Sequence, residues 1–421
     1  MWWYNAGMFD RWYAKPLQEK LERPYVHLMF GARQTGKSTL LRSVLPESAL
    51  VFDLADPLER SRLLANPEMF TQACRALPAT RKGQTVFVDE IQTAPALFDA
   101  VQSLYDSDKD RWRFILCGSS ARRLRGTGAN LLPGRSFLHR LYPLTLAEHP
   151  PLARLARHAV SSTALPWSTD WTPANPFPAW GLEERLAYGA LPGIVAAERP
   201  DRAELLKAFA VVHLEEEIRR EALVRDWGGF VRFLQLTARE SGQIVNYAAI
   251  SQEAGISQHT VKSHYQLLED MFVGFRVPAY TRSPRKNLLS TPKFLLFDLG
   301  VRNAAAGLRP SEELVKVDPG TMFEQWVGIE LWIRLQYLGD GTLYYLRTRD
   351  GAEVDYIIER GETLTAVEVK WTQRPTASDA RHVLTFLNEH PRQPGQGYVV
   401  CRCDRPLQLH ERVTAIPWFC L

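Results

Sequence analysis

The sequence predicts an α/β protein of about two to four domains, with a parallel sheet in its N-terminal part and a separate α/β domain at its C-terminal end. Three observations predict this fold class. Residues 26–150 alternate short apolar runs with helix-length stretches, which is typical of a parallel sheet. Residues 241–300 combine a helix-turn-helix pattern with basic strands. Residues 353–370, EVDYIIERGETLTAVEVK, are two strand-like runs around a short turn.

The composition is that of a globular chain without a membrane span. Of the 421 residues, 45% are hydrophobic and 23% are charged, and there is no run of about 18 apolar residues. The N-terminus, MWWYNAGMFDRWYAK, lacks the charged start and apolar core of a signal peptide. The five cysteines are irregularly spaced, so we expect a cytoplasmic protein with reduced thiols. The net charge of +4 permits nucleic acid as a partner without predicting it.

A phosphate-binding loop is the most specific motif of the chain. The segment GARQTGKS, Gly31 to Ser38, matches G-x-x-x-x-G-K-[ST] in full, follows a predicted strand and opens the helix STLLRSVL. The glycines allow a tight turn whose backbone N–H groups cradle phosphate oxygens. Lys37 is expected to reach the β- and γ-phosphates, and Ser38 to ligate Mg²⁺. The residues expected to bind the nucleotide are Gly31, Ala32, Arg33, Gln34, Thr35, Gly36, Lys37, Ser38 and Thr39.

Two further predicted strands end in polar side chains. TVFVDE ends in Asp89 and Glu90, which places both carboxylates at the carboxyl edge of the sheet beside the phosphates. Asp89 would hold Mg²⁺ through its water shell, and Glu90 would polarise the attacking water, so we expect hydrolysis. FILCGSS ends in Ser119 and Ser120, either of which could sense the γ-phosphate or orient the water. The alternative for each serine is simply the start of a loop.

Several segments together resemble a known family. GARQTGKST, VFVDEIQ, ILCGSSAR, LLPGR and LYPLTLAEH occur in this order in prokaryotic, archaeal-ATPase-like AAA-type ATPases fused to a C-terminal domain of unassigned function. YGALPGIV, FEQWVGIEL and EVDYII…VEVK are also similar, so the resemblance covers nearly the whole chain. It implies a P-loop NTPase fold and ATP hydrolysis with Mg²⁺ by residues 31–38, Asp89 and Glu90. The family departs from hexameric unfoldases, so a homo-oligomer is possible without a ring being assumed.

Arg135 in LLPGR is singled out by this resemblance, because seven arginines lie between residues 111 and 140. An arginine delivered to the phosphates of a neighbouring subunit would stabilise the transition state of hydrolysis. The alternative is a surface or sheet-capping arginine.

Residues 245–270 have the pattern of a helix-turn-helix. Gly255 permits the tight turn, and Ser257 is a plausible N-cap for the second helix. The predicted core residues are Ile250, Ala254, Ile256, Val261, Leu267 and Leu268. The side chains that the second helix would expose are Gln258, His259, Lys262, and Ser263 or Gln266.

A basic hairpin, TRSPRKNLLSTPKF, follows the second helix and completes a winged-helix pattern. Its cations are Arg282, Arg285, Lys286 and Lys293. The functional interpretation is DNA binding, with the second helix in a groove and the hairpin against phosphates. The residues expected to contact DNA are Lys262, Arg282, Arg285 and Lys286. The alternative is a packing or protein-contact module.

The C-terminal strand pair brings acids together by simple pairing. If Gly361 and Glu362 form a two-residue turn, paired residue numbers sum to 723, and Asp355 lies opposite Glu368. Side chains alternate along a strand, so Lys370 shares the face of Glu368. Two adjacent carboxylates repel each other unless a cation lies between them, which suggests Mg²⁺ or Mn²⁺.

This spacing resembles the PD-(D/E)xK nuclease signature and its restriction-endonuclease-like fold. The resemblance implies a phosphodiester hydrolysis site with metal ligands Asp355, Glu368 and Glu324, the last on the first helix, beside Lys370. Two alternatives remain open at this point: a nuclease-like fold retained as an inactive binding platform, and a salt-bridged surface patch on a hairpin.

The predicted function is ATP hydrolysis by a DNA-associated protein that couples its nucleotide state to a winged-helix and nuclease-like module. The alternative is a nucleotide-switched regulatory or defence-type binding module that cuts no nucleic acid. The predicted regions are an N-terminal segment (1–24), the ATPase core (25–150), a helical region with a Trp- and Pro-rich insertion (151–240), the winged helix (241–300) and the nuclease-like domain (301–421).

Overall fold

The computed structural model describes residues 9–78, 83–119, 134–156, 171–214, 218–219, 224, 226–282, 290–348, 351–391, 393 and 395–421. The chain divides into two units. The first contains Arg11–Tyr142 with Asp270–Val273, and the second contains Pro143–Glu269 and Gly274–Leu421. The predicted α/β class is confirmed, since the first unit has a parallel sheet and the second a separate mixed sheet. The predicted boundaries of the smaller regions stay predictions.

A five-stranded parallel sheet in the order β2-β3-β4-β1-β5 forms the centre of the first unit. All five residues of β1 are buried, because the strand lies inside the sheet and both of its faces are covered. The strands are β1 (Val26–Phe30), β2 (Leu50–Asp53), β3 (Gln84–Asp89), β4 (Trp112–Cys117) and β5 (Ser136–Arg140). The helices are α1 (Ala14–Leu21), α2 (Lys37–Val44), α3 (Pro57–Ala65), α4 (Glu68–Ala76) and α5 (Leu97–Ser107).

The strand order decides which side chains meet at the carboxyl edge of this sheet. β4 lies between β1, which leads into the phosphate loop, and β3, which leads into Glu90. The residues that follow these three parallel strands therefore lie side by side at one edge. An apolar core under the sheet, which includes Phe30, Phe70 and Trp112, holds the strands in place.

Two buried histidines connect β1 and β5. His27 Nδ1 lies 3.1 Å from His139 Nε2, His27 Nε2 lies 3.1 Å from the Arg23 carbonyl, and Tyr13 Oη lies 2.9 Å from His139 Nδ1. A carbonyl can only accept, so His27 Nε2 donates to it, His139 Nε2 donates to His27 Nδ1, and Tyr13 donates to His139 Nδ1. With both histidines neutral, every ring nitrogen has a hydrogen-bond partner in this arrangement. Burial lowers the pKa of His27 to about 4 and that of His139 to about 3.

We expect acid to destabilise the protein through this pair. Both folded pKa values lie below the ordinary value of 6.5, so the unfolded chain takes up these protons first as the pH falls. The contribution is fully present above pH 6.5 and decreases by about 1.4 kcal/mol per pH unit for each histidine on acidification towards about pH 4. Thermal unfolding midpoints of the wild type and of the double variant His27→Leu, His139→Leu, measured from pH 8 to pH 4.5, check this. The double variant should lose less stability in acid, and equal acid slopes would contradict the prediction.

The second unit begins with short helices and continues with a helix-turn-helix and a hairpin. Gly255 has φ 68° and ends the first helix of the helix-turn-helix, as predicted for the tight turn. The hairpin pairs β6 (Gly274–Val277) with β7 (Lys293–Leu296) in antiparallel fashion. The helices up to this point are α6 (Ala153–Ala156), α7 (Leu182–Tyr188), α8 (Pro192–Ala196), α9 (Arg202–Ala208), α10 (Trp227–Arg239), α11 (Tyr247–Ala254) and α12 (Gln258–Asp270).

A six-stranded mixed sheet in the order β12-β13-β11-β10-β9-β8 follows in the second unit. Its buried residues, among them Ile357, Ala366, Phe386 and Val399, form one core. The strands are β8 (Thr342–Arg347), β9 (Glu353–Arg360), β10 (Thr363–Val369), β11 (Gly395–Cys401), β12 (Leu407–His410) and β13 (Val413–Pro417). The helices are α13 (Leu299–Ala305), α14 (Glu312–Val315), α15 (Pro319–Leu338) and α16 (Arg381–Glu389).

The register of β9 and β10 is the predicted one. Thr363 pairs with Arg360 and Val367 with Tyr356, so that each pair of residue numbers sums to 723. The next pair in this register is Asp355 and Glu368. Within the described parts of the chain, no helix has both the length and the apolar character needed to cross a membrane.

Candidate functional site

The phosphate loop runs from the end of β1 to the start of α2. Gly31 has φ 153°, and a Cβ atom at this position would lie 2.2 Å from the Leu141 carbonyl oxygen, so only glycine fits. Lys37 is buried, and its Nζ donates to the carbonyls of Gly31 at 2.8 Å and Ala32 at 2.9 Å. Thr35 Oγ1 also donates to the Ala32 carbonyl, at 2.9 Å. The lysine and the loop backbone are therefore held together at the N-terminus of α2.

Arg11 is a loop contact that the motif does not contain. Its guanidinium is buried and donates to the Thr35 carbonyl at 2.7 Å and to the Tyr142 carbonyl at 2.8 Å. It thus joins the phosphate loop to the chain that leaves β5. The sequence gives no signal for this contact except an arginine in an aromatic-rich segment.

Ser38 and Asp89 meet as the motif requires. Ser38 Oγ donates to Asp89 Oδ1 at 3.0 Å, and Asp89 is buried at the end of β3. A hydroxyl and a carboxylate are the oxygen ligands that Mg²⁺ prefers beside phosphates. The donor set therefore fits Mg²⁺, with Ser38 and Asp89 as the residues that would hold it.

A polar chain runs from Glu90 to Ser119 through Gln92. Gln92 Nε2 donates to Glu90 Oε2 at 2.5 Å and lies 3.1 Å from Ser119 Oγ. Gln92 and Ser119 are buried, whereas Glu90 is half-buried. The strand order explains the contact, because β4 ends beside β3. Gln92 stands two residues after Glu90 in the sequence DEIQ. This position could have indicated its role, but the sequence analysis did not predict one.

Arg135 lies at the amino ends of the parallel strands, whereas the phosphate loop of its own chain lies at their carboxyl ends. It precedes β5, whose Ser136 pairs with Val26 at the amino end of β1, about 15 Å from the carboxyl end of that strand. Arg135 Nε forms an ion pair with Asp106 Oδ1 at 2.7 Å, and both side chains are 34% exposed. Ser120, which like Ser119 was predicted to sense the γ-phosphate or orient the water, lies outside the described residues.

The second helix of the helix-turn-helix presents a polar face. Ser257 Oγ accepts from the Thr260 backbone N–H at 3.1 Å and so caps α12, as predicted. Lys262 Nζ lies 5.4 Å from the centre of the Tyr247 ring. The predicted core residues are buried except Ile256, which is half-buried. The exposed side chains of α12 include Gln258, His259, Lys262, Ser263 and Gln266.

The basic hairpin differs from its predicted form. Arg282 is 68% exposed and pairs with Glu359 at 2.5 Å. Arg285 and Lys286 lie outside the described residues. Lys293 is 3% exposed, so its inclusion among the cations of a DNA-facing hairpin is wrong. It points into the protein because it begins β7, where its neighbours are buried strand residues.

Four acids lie close to Lys293 and Lys370 and are called the carboxylate cluster: Glu324, Glu353, Asp355 and Glu368. Lys293 Nζ lies 2.8 Å from Glu324 Oε1 and 3.3 Å from Glu353 Oε1. Lys370 Nζ lies 2.7 Å from Glu368 Oε1, which places the two on one face, as predicted. The strand pairing predicted neither Glu353 as a member of the cluster nor Lys293 as its neighbour.

Asp355 has a backbone contact, and burial raises the pKa values of Asp355 and Glu368. The Val369 N–H donates to Asp355 Oδ2 at 2.8 Å. Burial, followed by the charges of Glu324 and Glu368, raises the pKa of Asp355 well above its ordinary value. Burial also raises the pKa of Glu368, against the opposing effect of Lys370. Among the described residues, no group of three or more His, Cys, Asp and Glu side chains is arranged to hold a metal ion.

Comparison with known families supports the interpretation of the first site. A family described as "AAA domain" matches residues 23–149, which include the phosphate loop, Asp89 and Glu90. Residues 23–149 are thus similar to this AAA domain family. Two other families match later parts of the chain, and both are described as domains of unknown function: DUF8612 at residues 179–312 and DUF4143 at residues 319–421. The AAA domain accounts for the parallel sheet, and these two families leave the C-terminal chemistry unassigned.

Bacterial proteins are similar to this chain over most of its length. An uncharacterized protein of Mycobacterium tuberculosis is 25% identical over 408 residues, which are 96% of this chain and 82% of that protein. An uncharacterized protein of Haemophilus influenzae is 23% identical over 373 residues, 85% of each chain. The similarity to both relatives thus extends beyond the AAA domain into the C-terminal regions.

Two solved structures overlap with the chain. Caenorhabditis elegans PCH-2 covers 35% of this chain and 44% of its own, at 14% identity and a TM-score of 0.24. A DNA polymerase III gamma subunit-related protein of Thermotoga maritima covers 62% of this chain and 98% of its own, at 11% identity and a TM-score of 0.25.

Proposed function

We propose that this protein hydrolyses ATP with Mg²⁺ and couples its nucleotide state to DNA binding by the helix-turn-helix. The proposal of hydrolysis is supported by the arrangement of polar side chains at the carboxyl ends of the parallel strands. The Ser38–Asp89 pair lies there beside the Glu90–Gln92–Ser119 chain, next to the phosphate loop. A nucleotide-binding protein without hydrolysis does not need an oriented carboxylate at this position.

Each residue of the site has a distinct task in this proposal. The backbone of residues 31–39 binds the phosphates, and Lys37 turns its ammonium to the β- and γ-phosphate oxygens. When bound to Ser38 and Asp89, Mg²⁺ neutralises phosphate charge. Glu90 accepts a proton from the attacking water, and Gln92 fixes the direction of the Glu90 carboxylate through its short hydrogen bond. Ser119, at the end of β4, responds to the γ-phosphate.

DNA binding is proposed for the exposed face of α12. This face is polar, carries Lys262 and lies on the second helix of a capped helix-turn-helix, which is the arrangement of groove-binding modules. Arg282 and the hairpin cations 285 and 286 would add phosphate contacts. The alternative is a nucleotide-switched regulatory or defence-type module in which α12 contacts a protein. We propose the cytoplasm as its location, and a homo-oligomer would be required if Arg135 acts on the phosphates of a neighbouring subunit.

Replacing Lys262 with Ala tests the DNA proposal. Loss of one phosphate contact should weaken binding of duplex DNA roughly 3- to 10-fold and reduce the slope of log K against log salt by about 1. Fluorescence anisotropy of a labelled duplex at several salt concentrations measures both. The matched control is Lys316→Ala, an exposed lysine outside the helix-turn-helix. Equal effects of the two substitutions, or no DNA binding by the wild type, would favour the protein-contact alternative.

Coupling is tested by ATP hydrolysis with and without the same duplex. Stimulation by DNA that Lys262→Ala reduces and Lys316→Ala retains would support coupling. A wild-type protein that hydrolyses no ATP either with or without the duplex would contradict the proposed function.

A further inference from the structure

Lys293 is a buried cation that neither the ATPase proposal nor the DNA proposal uses. Its Nζ lies between Glu324 Oε1 at 2.8 Å and Glu353 Oε1 at 3.3 Å, and the residue is 3% exposed. The rings of Tyr345 and Tyr356 have their centres 5.3 Å and 5.9 Å from the same nitrogen. The ammonium is thus enclosed by carboxylates and by the faces of two aromatic rings, both of which attract a cation.

Each acid that a nuclease site would use has one carboxylate oxygen engaged by a protein donor, whereas the second oxygen of Glu368, Oε2, is buried without a hydrogen-bond partner. Glu324 Oε1 accepts from Lys293, Glu368 Oε1 accepts from Lys370, and Asp355 Oδ2 accepts from the Val369 N–H. A divalent metal needs several oxygens converging at about 2.0–2.6 Å, and it would be repelled by an ammonium in contact with one of them. The residues present therefore do not fit the metal that the nuclease resemblance implies.

We infer that Lys293 is the resident cation of the carboxylate cluster and closes it to divalent metals. The charge that would otherwise require Mg²⁺ or Mn²⁺ is supplied by a lysine from the hairpin that follows the helix-turn-helix. The C-terminal domain is then a binding platform rather than a nuclease. This inference goes beyond the proposed ATPase and DNA functions, and it does not depend on either.

The hairpin is fastened to the C-terminal domain around this lysine. Phe275 of β6 stacks on Trp332 of α15, with 4.0 Å between the ring centres. The Tyr280 N–H donates to the Tyr345 carbonyl at 2.7 Å, and the Tyr345 hydroxyl donates to the Thr291 carbonyl. Strand β7 therefore places the ammonium at the cluster through contacts on both sides of the hairpin.

Binding of Mn²⁺ to the full-length protein without nucleotide tests the inference, with free Mn²⁺ measured by electron paramagnetic resonance. Lys293→Met keeps the length of the side chain without its charge. We expect this variant to bind one more Mn²⁺ than the wild type and to lose that ion when Asp355→Asn is added. Weak binding at the phosphate loop does not interfere, because it is insensitive to Asp355→Asn. Wild-type Mn²⁺ binding that Asp355→Asn abolishes would overturn the inference, and so would a Lys293→Met variant that gains no ion.

A stability comparison keeps the inference testable if Lys293→Met folds poorly. Removing the lysine leaves the half-buried Glu324 and Glu353 without its charge, although Arg347 still lies 3.7 Å from Glu353, so the thermal midpoint should fall by a few degrees. Adding Glu324→Gln removes one of those charges and should restore part of the loss, whereas Lys316→Met should change little. No recovery in the double variant would contradict the pairing. ATP hydrolysis measured on the same samples separates failure of this inference from failure of the proposed function.

Discussion

Lys37→Ala is expected to reduce ATP hydrolysis by at least about 100-fold, because it removes a preorganised cation from the phosphates at which negative charge develops. Lys37 is buried and already lies at the loop, where its ammonium donates to the Gly31 and Ala32 carbonyls, so only its end has to turn to the phosphates when ATP binds. Phosphate release at saturating ATP and Mg²⁺ measures the effect. In the proposed mechanism the lysine contacts the phosphates of ATP, so ATP binding should weaken as well.

The matched control for this experiment is Lys15→Ala, which removes an exposed lysine on α1 of the same unit. It should hydrolyse ATP at the wild-type rate. Thermal midpoints of both variants show whether the loop remains folded. A Lys37→Ala variant with the wild-type midpoint and more than half of the wild-type activity would contradict the assignment of the phosphate site.

Glu90→Gln should separate ATP binding from hydrolysis. The substitution keeps the size of the side chain but removes the carboxylate that accepts a proton, so the rate should fall about 100- to 10,000-fold. ATP affinity should change little, since the Ser38–Asp89 pair and the phosphate loop are untouched. Single-turnover hydrolysis and equilibrium binding of a fluorescent ATP analogue measure the two quantities separately.

Glu47→Gln is the control for Glu90→Gln, because Glu47 is an exposed acid between α2 and β2. A second substitution, Gln92→Ala, distinguishes the base from the group that positions it. If Gln92 acts only by orienting Glu90, its loss should reduce the rate less than Glu90→Gln does. A Glu90→Gln variant that hydrolyses ATP as fast as the control would assign the base to another residue.

Local patterns were enough to predict much of both sites. The phosphate loop is contiguous, and its eight-residue motif fixes the order of backbone and side-chain donors. The register of β9 and β10 followed from one assumption, the two-residue turn at Gly361 and Glu362, because pairing in a hairpin is set by its turn. Both are short-range features, in which the interacting residues are fixed by spacing along the chain.

Long-range contacts were not predictable in the same way. Lys293 lies in a basic stretch whose other cations suggested a DNA-facing surface, and its partners Glu324 and Glu353 are 31 and 60 residues away. Whether a lysine faces solvent or a buried acid depends on the packing of the hairpin against α15, which no periodicity encodes. Arg11 is similar, because its acceptors at Thr35 and Tyr142 meet only when the sheet forms. Gln92 lay next to a recognised acid and could have been found from the order of the strands.

The location of Arg135 has a consequence for how the activity would vary with the amount of protein. The arginine lies about 15 Å along the sheet from its own phosphate loop, beyond the reach of its side chain. If it completes the site, it does so for a second molecule, and it must first leave Asp106. Turnover per molecule would then rise with protein concentration instead of staying constant. Hydrolysis would be slow in dilute solution and faster at concentrations at which two molecules associate.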